Sequence, residues 1–349
     1  MDETDAFVKR VDMALSTFLD RRAASLRKVG GDLDPIAAEA TEFVMGGKRL
    51  RPAFAYWGWR ASRAATEDDA ALLVAAASLE LLHASALVHD DVMDASDTRR
   101  GRPAAHSAFA VLHRDQSWTG SPDAFGNAAA ILLGDLLLCW ADAMFATAAV
   151  GGAARQVYDD IRETVMAGQY LDVLVQARGD FSAADALRVA RFKTSKYTVE
   201  GPLQLGAAAA DAPPEILAAL SDYGLLLGEA FQLRDDVLGT FGDPHHTGKP
   251  AGGDLREGKR TLLVALAMQR ASPAEATLLR GSLGDRGLSA AGIARVCELL
   301  VSTGALSEVE HRIAGRTDLA QAALDVPGIR TDAREALLRL ATTATDRRA

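Results

Sequence analysis

At 349 residues with 49% hydrophobic but only 6% aromatic side chains, the chain can bury a large core of Ala, Leu and Val, which suits helix packing better than a β-sandwich. Its formal charge of -9 excludes a nucleic-acid surface, which needs clustered, uncompensated Lys and Arg, so any phosphate chemistry must be local. The two cysteines, Cys139 and Cys297, lack metal-ligand spacing and argue against a disulfide framework or a zinc site, pointing to a reducing cytoplasm.

The acidic start, Met1-Asp2-Glu3-Thr4-Asp5, lacks the basic-then-apolar order of a signal peptide. Apolar residues recur at helical spacing and no alternating β-branched run stands between turn signals, so an all-α fold is expected. With no Pro/Gly/Ser linker, residues 1–349 are read as a single domain. The pattern predicts a helix from Asp5 to Lys28, stopped by Gly30-Gly31, and another from Pro35 to the Gly46-Gly47 pair. Longer helices are expected at Glu67 to Asp94, Phe125 to Ala149, Ala153 to Ala177 and Pro214 to Thr240. The most apolar stretch, Ala128 to Val150, contains Asp135 and Asp142, which marks a buried helix rather than a transmembrane segment. Two loops are expected, Arg114 to Gly126 and Gly242 to Asp254, both dense in Gly, Pro and ionisable groups as functional loops are.

Three clusters carry the chemistry. In Gly46-Gly47-Lys48-Arg49-Leu50-Arg51-Pro52, glycines let the backbone approach an anion while Lys and Arg supply phosphate contacts. Asp90-Asp91-Val92-Met93-Asp94 follows an apolar helix and precedes Arg99-Arg100. Asp90 and Asp94 share a helix face, so their carboxylates can converge on a cation. Magnesium is held by such carboxylates together with substrate phosphates. The third cluster, Phe231-Gln232-Leu233-Arg234-Asp235-Asp236, precedes a loop carrying Lys249, Asp254 and Lys259. Two acid groups of this kind could hold metals on both sides of one pyrophosphate and stabilise the charge that grows on a leaving group.

In order, GGKRLRP, ELLHASALVHDDVMDASDTRRGRP, KTSKY, FQLRDD and GDPHHTGKPAGGDLREGKRT closely resemble the trans-prenyl diphosphate synthases, or polyprenyl synthetases. The resemblance implies a single antiparallel helical bundle, the isoprenoid synthase fold, with a central apolar tunnel. It implies condensation of isopentenyl diphosphate with an allylic diphosphate (dimethylallyl, geranyl or farnesyl), three Mg2+ ions, and a homodimer. Position by position, Asp90, Asp91, Asp94, Asp235 and Asp236 resemble the metal-binding acids. Gly47, Lys48, Arg51, His83 and Arg100 resemble the isopentenyl diphosphate site. Arg99, Lys193 and Lys249 resemble the allylic diphosphate site, closed by Lys259 with Asp254, while Thr194 and Gln232 match positions beside the reacting carbon. The family often has a third acid four residues after Asp235, where this chain has Gly239.

Product length is expected to depend on the helix that delivers Asp90. Ser85 and Ala86 stand where the family places bulky aromatics to stop growth at fifteen carbons, and Leu82 lies a turn deeper, so geranylgeranyl diphosphate is the expected product. A longer product or farnesyl diphosphate are the alternatives. A terpene cyclase fits less well, since FQLRDD differs from its usual second motif. A non-catalytic synthase subunit tends to lose the acids that this chain keeps.

Overall fold

The computed structural model describes residues 3–242 and 252–346. It is built of helices, as the periodicity requires, and divides into two compact units, Met1–Val157 with Pro202–Ala212, and Tyr158–Gly201 with Pro213–Ala349.

In the first unit the helices are α1 (Glu3–Arg27), α2 (Asp34–Val44), α3 (Leu50–Arg60), α4 (Ala70–Met93), α5 (Ala105–Asp115) and α6 (Pro122–Phe145). Helix α4 is the axis on which α1, α2, α3, α5 and α6 pack. It buries Leu72, Leu79, Leu81, Leu82 and Val88. Helix α1 lays Phe7, Val11, Leu15 and Leu19 against this core at four-residue spacing, the stripe an amphipathic helix presents to its neighbours. Helix α3 is buried from Arg51 to Arg60, and residues 202–209 cover one side of it. There the backbones nearly touch. A Cβ at Gly58 would fall 2.2 Å from the Leu203 carbonyl oxygen, and one at Gly206 would fall 1.8 Å from that of Ala55.

The second unit holds most of α7 (Gly152–Arg178), then α8 (Ala183–Val189), which runs into a π-helical stretch, Ala190–Glu200. After α9 (Gly201–Ala209) come α10 (Pro214–Phe241), α11 (Gly253–Glu257), α12 (Leu262–Arg270), α13 (Pro273–Ser282), α14 (Ala290–Ser302), α15 (Ala305–Ala323) and α16 (Thr331–Thr345). Helix α10 is the axis here, packed by the π-helical stretch, α15 and α16. Its Leu233 and Val237 join Leu255, Leu263, Leu266, Val296, Leu300 and Val309 in the core.

One sequence expectation is corrected. The loop expected from Arg114 to Gly126 is only residues 116–121, because Ser121-Pro122-Asp123 starts a helix: the Ala124 amide donates to Ser121 Oγ at 3.3 Å, Pro122 stands in the first turn, and Asp123 complements the dipole. The all-α expectation holds, with the addition of a short antiparallel pair, Thr98–Arg99 with Arg102–Pro103. Helices α4, α6 and α10 are long and apolar enough to cross a membrane by length and composition. All three bury part of their surface within the protein.

Candidate active site

The first unit assembles a basic pocket beside an acidic helix end. Gly46 and Gly47 take φ of +97° and +104°, where a Cβ would be strained, and the chain turns sharply into α3. Arg49 follows at φ +49°, a left-handed conformation that its side chain must secure. It does so by donating to the Val44 carbonyl at 2.9 Å, to Glu80 at 2.8 Å and to Asp12 at 2.7 Å. Burial works against the Arg49 charge, but Glu80 and Asp12 more than offset it and hold its pKa above the ordinary value. Arg49 is thus spent on the fold, leaving Lys48 exposed and Arg51 buried as the pocket's cations.

Arg100 reaches the same turn. The strand pair is closed by Arg100 and Gly101 at φ +54° and +76°, both positive as a tight two-residue hairpin turn requires. The Arg100 guanidinium lies 3.1 Å from where a Gly47 Cβ would stand and donates to the Gly46 carbonyl at 3.4 Å. His83, on α4, stands within the field of these cations. Burial, then Arg51, Arg100, Arg99 and Arg49, hold its imidazole well below the usual range, so it is neutral. Gly47, Arg51, His83 and Arg100, all predicted for one substrate, are therefore brought together.

Asp90 lies seven residues beyond His83 on α4, two turns or roughly 10 Å along the same face. Asp91 points inward and is fully buried. Arg99 holds it, with Nε donating to Oδ1 at 2.9 Å and Nη2 bonding the same oxygen, while its Oδ2 has no hydrogen-bond partner. Burial raises the Asp91 pKa against the pull of Arg99. Arg99 also comes within 3.9 Å of Asp90. Asp94 caps the helix, its amide bonded to the Asp90 carbonyl at 2.8 Å. Lower on α4, Ser85 and Leu82 are fully buried, Ser85 with an unpartnered hydroxyl, and Ala86 is partly exposed.

The second unit gathers the other motifs. Lys193 and Thr194 lie in the π-helical stretch, a geometry frequent at functional sites. Thr194 donates to Gln232 Oε1, and Gln232 Nε2 donates to Asp236 Oδ1 at 2.7 Å. Asp236 is buried, and its pKa is pushed up to about 8 by burial, by Asp254 and by Asp235. Lys259 donates to Asp254 at 3.0 Å and pairs with Glu257 at 2.9 Å. Lys193 is held by Asp172 at 2.7 Å. Sequence reasoning missed Asp172; the available signal was a carboxylate in mid-helix, at Gln169-Tyr170-Leu171-Asp172. Lys249 lies outside the described residues.

Among the described residues no three Asp, Glu, His or Cys side chains form a ready-made cage for a metal ion. The donor set nonetheless fits a hard divalent cation, which takes oxygen ligands. Asp91 keeps an orphaned oxygen, and Asp254 and Asp235 both act against the charge of Asp236, a repulsion that a cation would relieve.

Residues 34–300 match the family described as polyprenyl synthetase. The chain is 34% identical over 300 residues to geranylfarnesyl diphosphate synthase of Aeropyrum pernix, covering 84% of this chain and 87% of that protein. It is 33% identical to octaprenyl diphosphate synthase of Escherichia coli, covering 93% and 94%. The fold superposes with TM-score 0.95 and 42% identity, over 100% of both chains, on a geranylgeranyl pyrophosphate synthase from Corynebacterium glutamicum complexed with isoprenyl diphosphate and magnesium.

Proposed function

Given that the chain belongs to the polyprenyl synthetase family and is a prenyltransferase, we propose that it joins isopentenyl diphosphate to dimethylallyl, geranyl and farnesyl diphosphates and releases all-trans geranylgeranyl diphosphate. The observation that carries this reading is the basic turn, with Arg51 buried and Arg100 bonded to Gly46, in the same unit as His83 and Asp90 on one face of α4. A diphosphate pocket and an acid platform share one rigid element.

The residues are given these roles. Gly47, Lys48, Arg51, His83 and Arg100 hold isopentenyl diphosphate, Arg99, Lys193 and Lys249 hold the allylic diphosphate, and Lys259 with Asp254 closes over it. Asp90, Asp91 and Asp94, and separately Asp235 with Asp236, are the candidate Mg2+ ligands. Bound magnesium supplies positive charge to the departing pyrophosphate. The allylic carbon–oxygen bond breaks, and the resulting cation is stabilised by the Lys193 carbonyl, the Thr194 hydroxyl and Gln232, while apolar walls exclude water. The isopentenyl double bond attacks that carbon, and pyrophosphate takes the proton released as the new double bond forms. No side-chain base is required.

The product assignment rests on Ser85 and Ala86, too small to stop a tail at fifteen carbons, with Leu82 a turn below. The geranylgeranyl pyrophosphate synthase at 42% identity supports it. The geranylfarnesyl and octaprenyl diphosphate synthases favour a longer product as the second reading. A homodimer is proposed on the apolar face that α6 leaves exposed, where Ala124, Ala128, Ile131 and Leu132 recur at helical spacing. The family match over residues 34–300 draws on both units and supports one synthase domain; a cytoplasmic location is proposed with it.

Incubating the purified protein with isopentenyl diphosphate, Mg2+ and each allylic primer, then sizing the products, tests the proposal. Ala86→Phe should shorten the main product by at least one five-carbon unit. No condensation with any primer would overturn the activity, and an unchanged distribution in Ala86→Phe would overturn the tail's path.

A further inference from the structure

His89 stands immediately before Asp90 on α4, and its ring is set into the side of α6. A Cβ at Gly134 would fall within 2.7 Å of three ring atoms, Nε2, Cδ2 and Cε1, so any side chain there would expel the imidazole. Gly134 is itself buried: the ring takes the volume that residue 134 leaves empty. His89 Nε2 lies 3.1 Å from the Ile131 carbonyl oxygen and 3.5 Å from Asp135 Oδ1. A backbone carbonyl only accepts, so Nε2 carries the hydrogen and donates to it. Residues 131, 134 and 135 share one face of α6, and together they form a socket for a single ring.

The consequence lies in where the socket holds α4. Successive residues are about 100° apart around a helix axis. Counted from His89, Asp90 stands at about 100°, Asp94 at about 140° and Asp91 at about 200°. His89 bonded to α6 and Asp91 bonded to Arg99 are therefore anchors on opposite sides of the helix, and Asp90 and Asp94 both fall between them. The last turn of a helix leaves carbonyls without intrahelical partners and frays. Here it ends at Asp94, and Ala95 leaves it with a φ of +47°. Anchors on two sides stop that end from turning about its axis.

We propose that His89 is a positioning residue for the acid platform: seated against Gly134, it sets the direction in which Asp90 and Asp94 face a divalent cation. This rests on the reading of those two aspartates as metal ligands. His89 acts through them and is not itself a ligand. It does so by a donated hydrogen bond and by its fit in the socket, which separate variants remove singly.

The test reads Mn2+ binding in the presence of inorganic pyrophosphate, the Mg2+ concentration that gives half-maximal turnover, and KM for isopentenyl diphosphate, with circular dichroism to verify folding. His89→Phe fills the socket but cannot donate. It should weaken Mn2+ binding about tenfold and raise the half-activating Mg2+ concentration in step, with KM for isopentenyl diphosphate unchanged. His89→Gln, whose amide nitrogen can stand where Nε2 does, should recover most of that loss. Gly134→Ala keeps His89 but closes the socket, and should weaken Mn2+ binding as His89→Phe does. Wild-type Mn2+ binding in folded His89→Phe, or a His89→Gln protein that binds no better than His89→Phe, would overturn the proposal. So would a loss confined to the thermal midpoint, the mark of a merely structural contact. If Gly134→Ala fails to fold, the Phe and Gln variants decide alone. Asp90→Ala separates the two levels: if it too binds Mn2+ like wild type, the metal reading of the platform falls, whereas a loss there with none in His89→Phe removes the role of His89 alone.

Discussion

Arg49→Met removes the cation that holds the basic turn in its left-handed conformation. Arg49 and Glu80 are 3% and 5% exposed, with Arg49 Nη1 2.8 Å from Glu80 Oε2, and the other oxygen of Glu80, Oε1, has no hydrogen-bond partner. The variant therefore strands a buried carboxylate. Breaking a buried pair from one side costs about 3–5 kcal/mol, against about 0–1 kcal/mol for an exposed pair. For a cooperative unit of this size, that lowers the thermal midpoint by roughly 10 °C. Glu80→Met combined with Arg49→Met removes both charges and should recover most of the loss, as a double-mutant cycle followed by urea denaturation will measure. The turn carries Lys48 and Arg51, so KM for isopentenyl diphosphate should rise in Arg49→Met while KM for the allylic substrate stays near its wild-type value. A cost below about 1 kcal/mol, or a double variant no more stable than Arg49→Met, would refute the assignment of this pair as the anchor of the turn.

Asp235→Ala is expected to cut Mg2+-dependent turnover by about a hundredfold or more with the circular dichroism spectrum unchanged; near-normal turnover would remove Asp235 from the reaction. Arg51→Ala should raise KM for isopentenyl diphosphate selectively, and a rise in the allylic KM instead would reverse the substrate assignment in steady-state assays. Because His83 is held below its ordinary pKa, the folded state resists protonating it while the unfolded chain does not. Its contribution to stability is full above about pH 6.5 and declines as pH falls below that value toward the folded pKa. His83→Gln should flatten that acid limb in denaturation curves. Arg100→Ala should move the imidazole titration upward in NMR spectra, and an unmoved titration would refute the arginine field.

Much of this was legible in the sequence because it is local. Helical spacing located α1, α2, α7 and α10 to within a few residues, and residue type with order placed Asp90, His83, Arg51 and Asp235 on the elements that carry them. What was not legible depends on partners distant in the chain. Nothing near Arg49 says that Glu80 and Asp12 will claim it, nor does the context of Asp172 announce Lys193 twenty-one residues later. The π-helical geometry of Ala190–Glu200 has no pattern separable from an ordinary helix. The Arg100-Gly101 turn could be read from Gly101 alone, since Arg100 enters its positive φ only because the hairpin closes there.

The backbone contacts of Gly58 and Gly206 bear on the order in which the protein can be made. Residues 202–212 belong to the first unit although residues 158–201, which precede them, belong to the second. A chain leaving the ribosome therefore holds α3 with one side uncovered until Leu203 and Gly206 emerge, and the closure joins residues about 150 apart, a separation that slows folding. Because α3 is buried from Arg51 to Arg60, a fragment ending at Val157 would present that side to water. Cutting any single peptide bond leaves at least one unit short of a piece, so the units are distinct in packing but inseparable as expressed fragments.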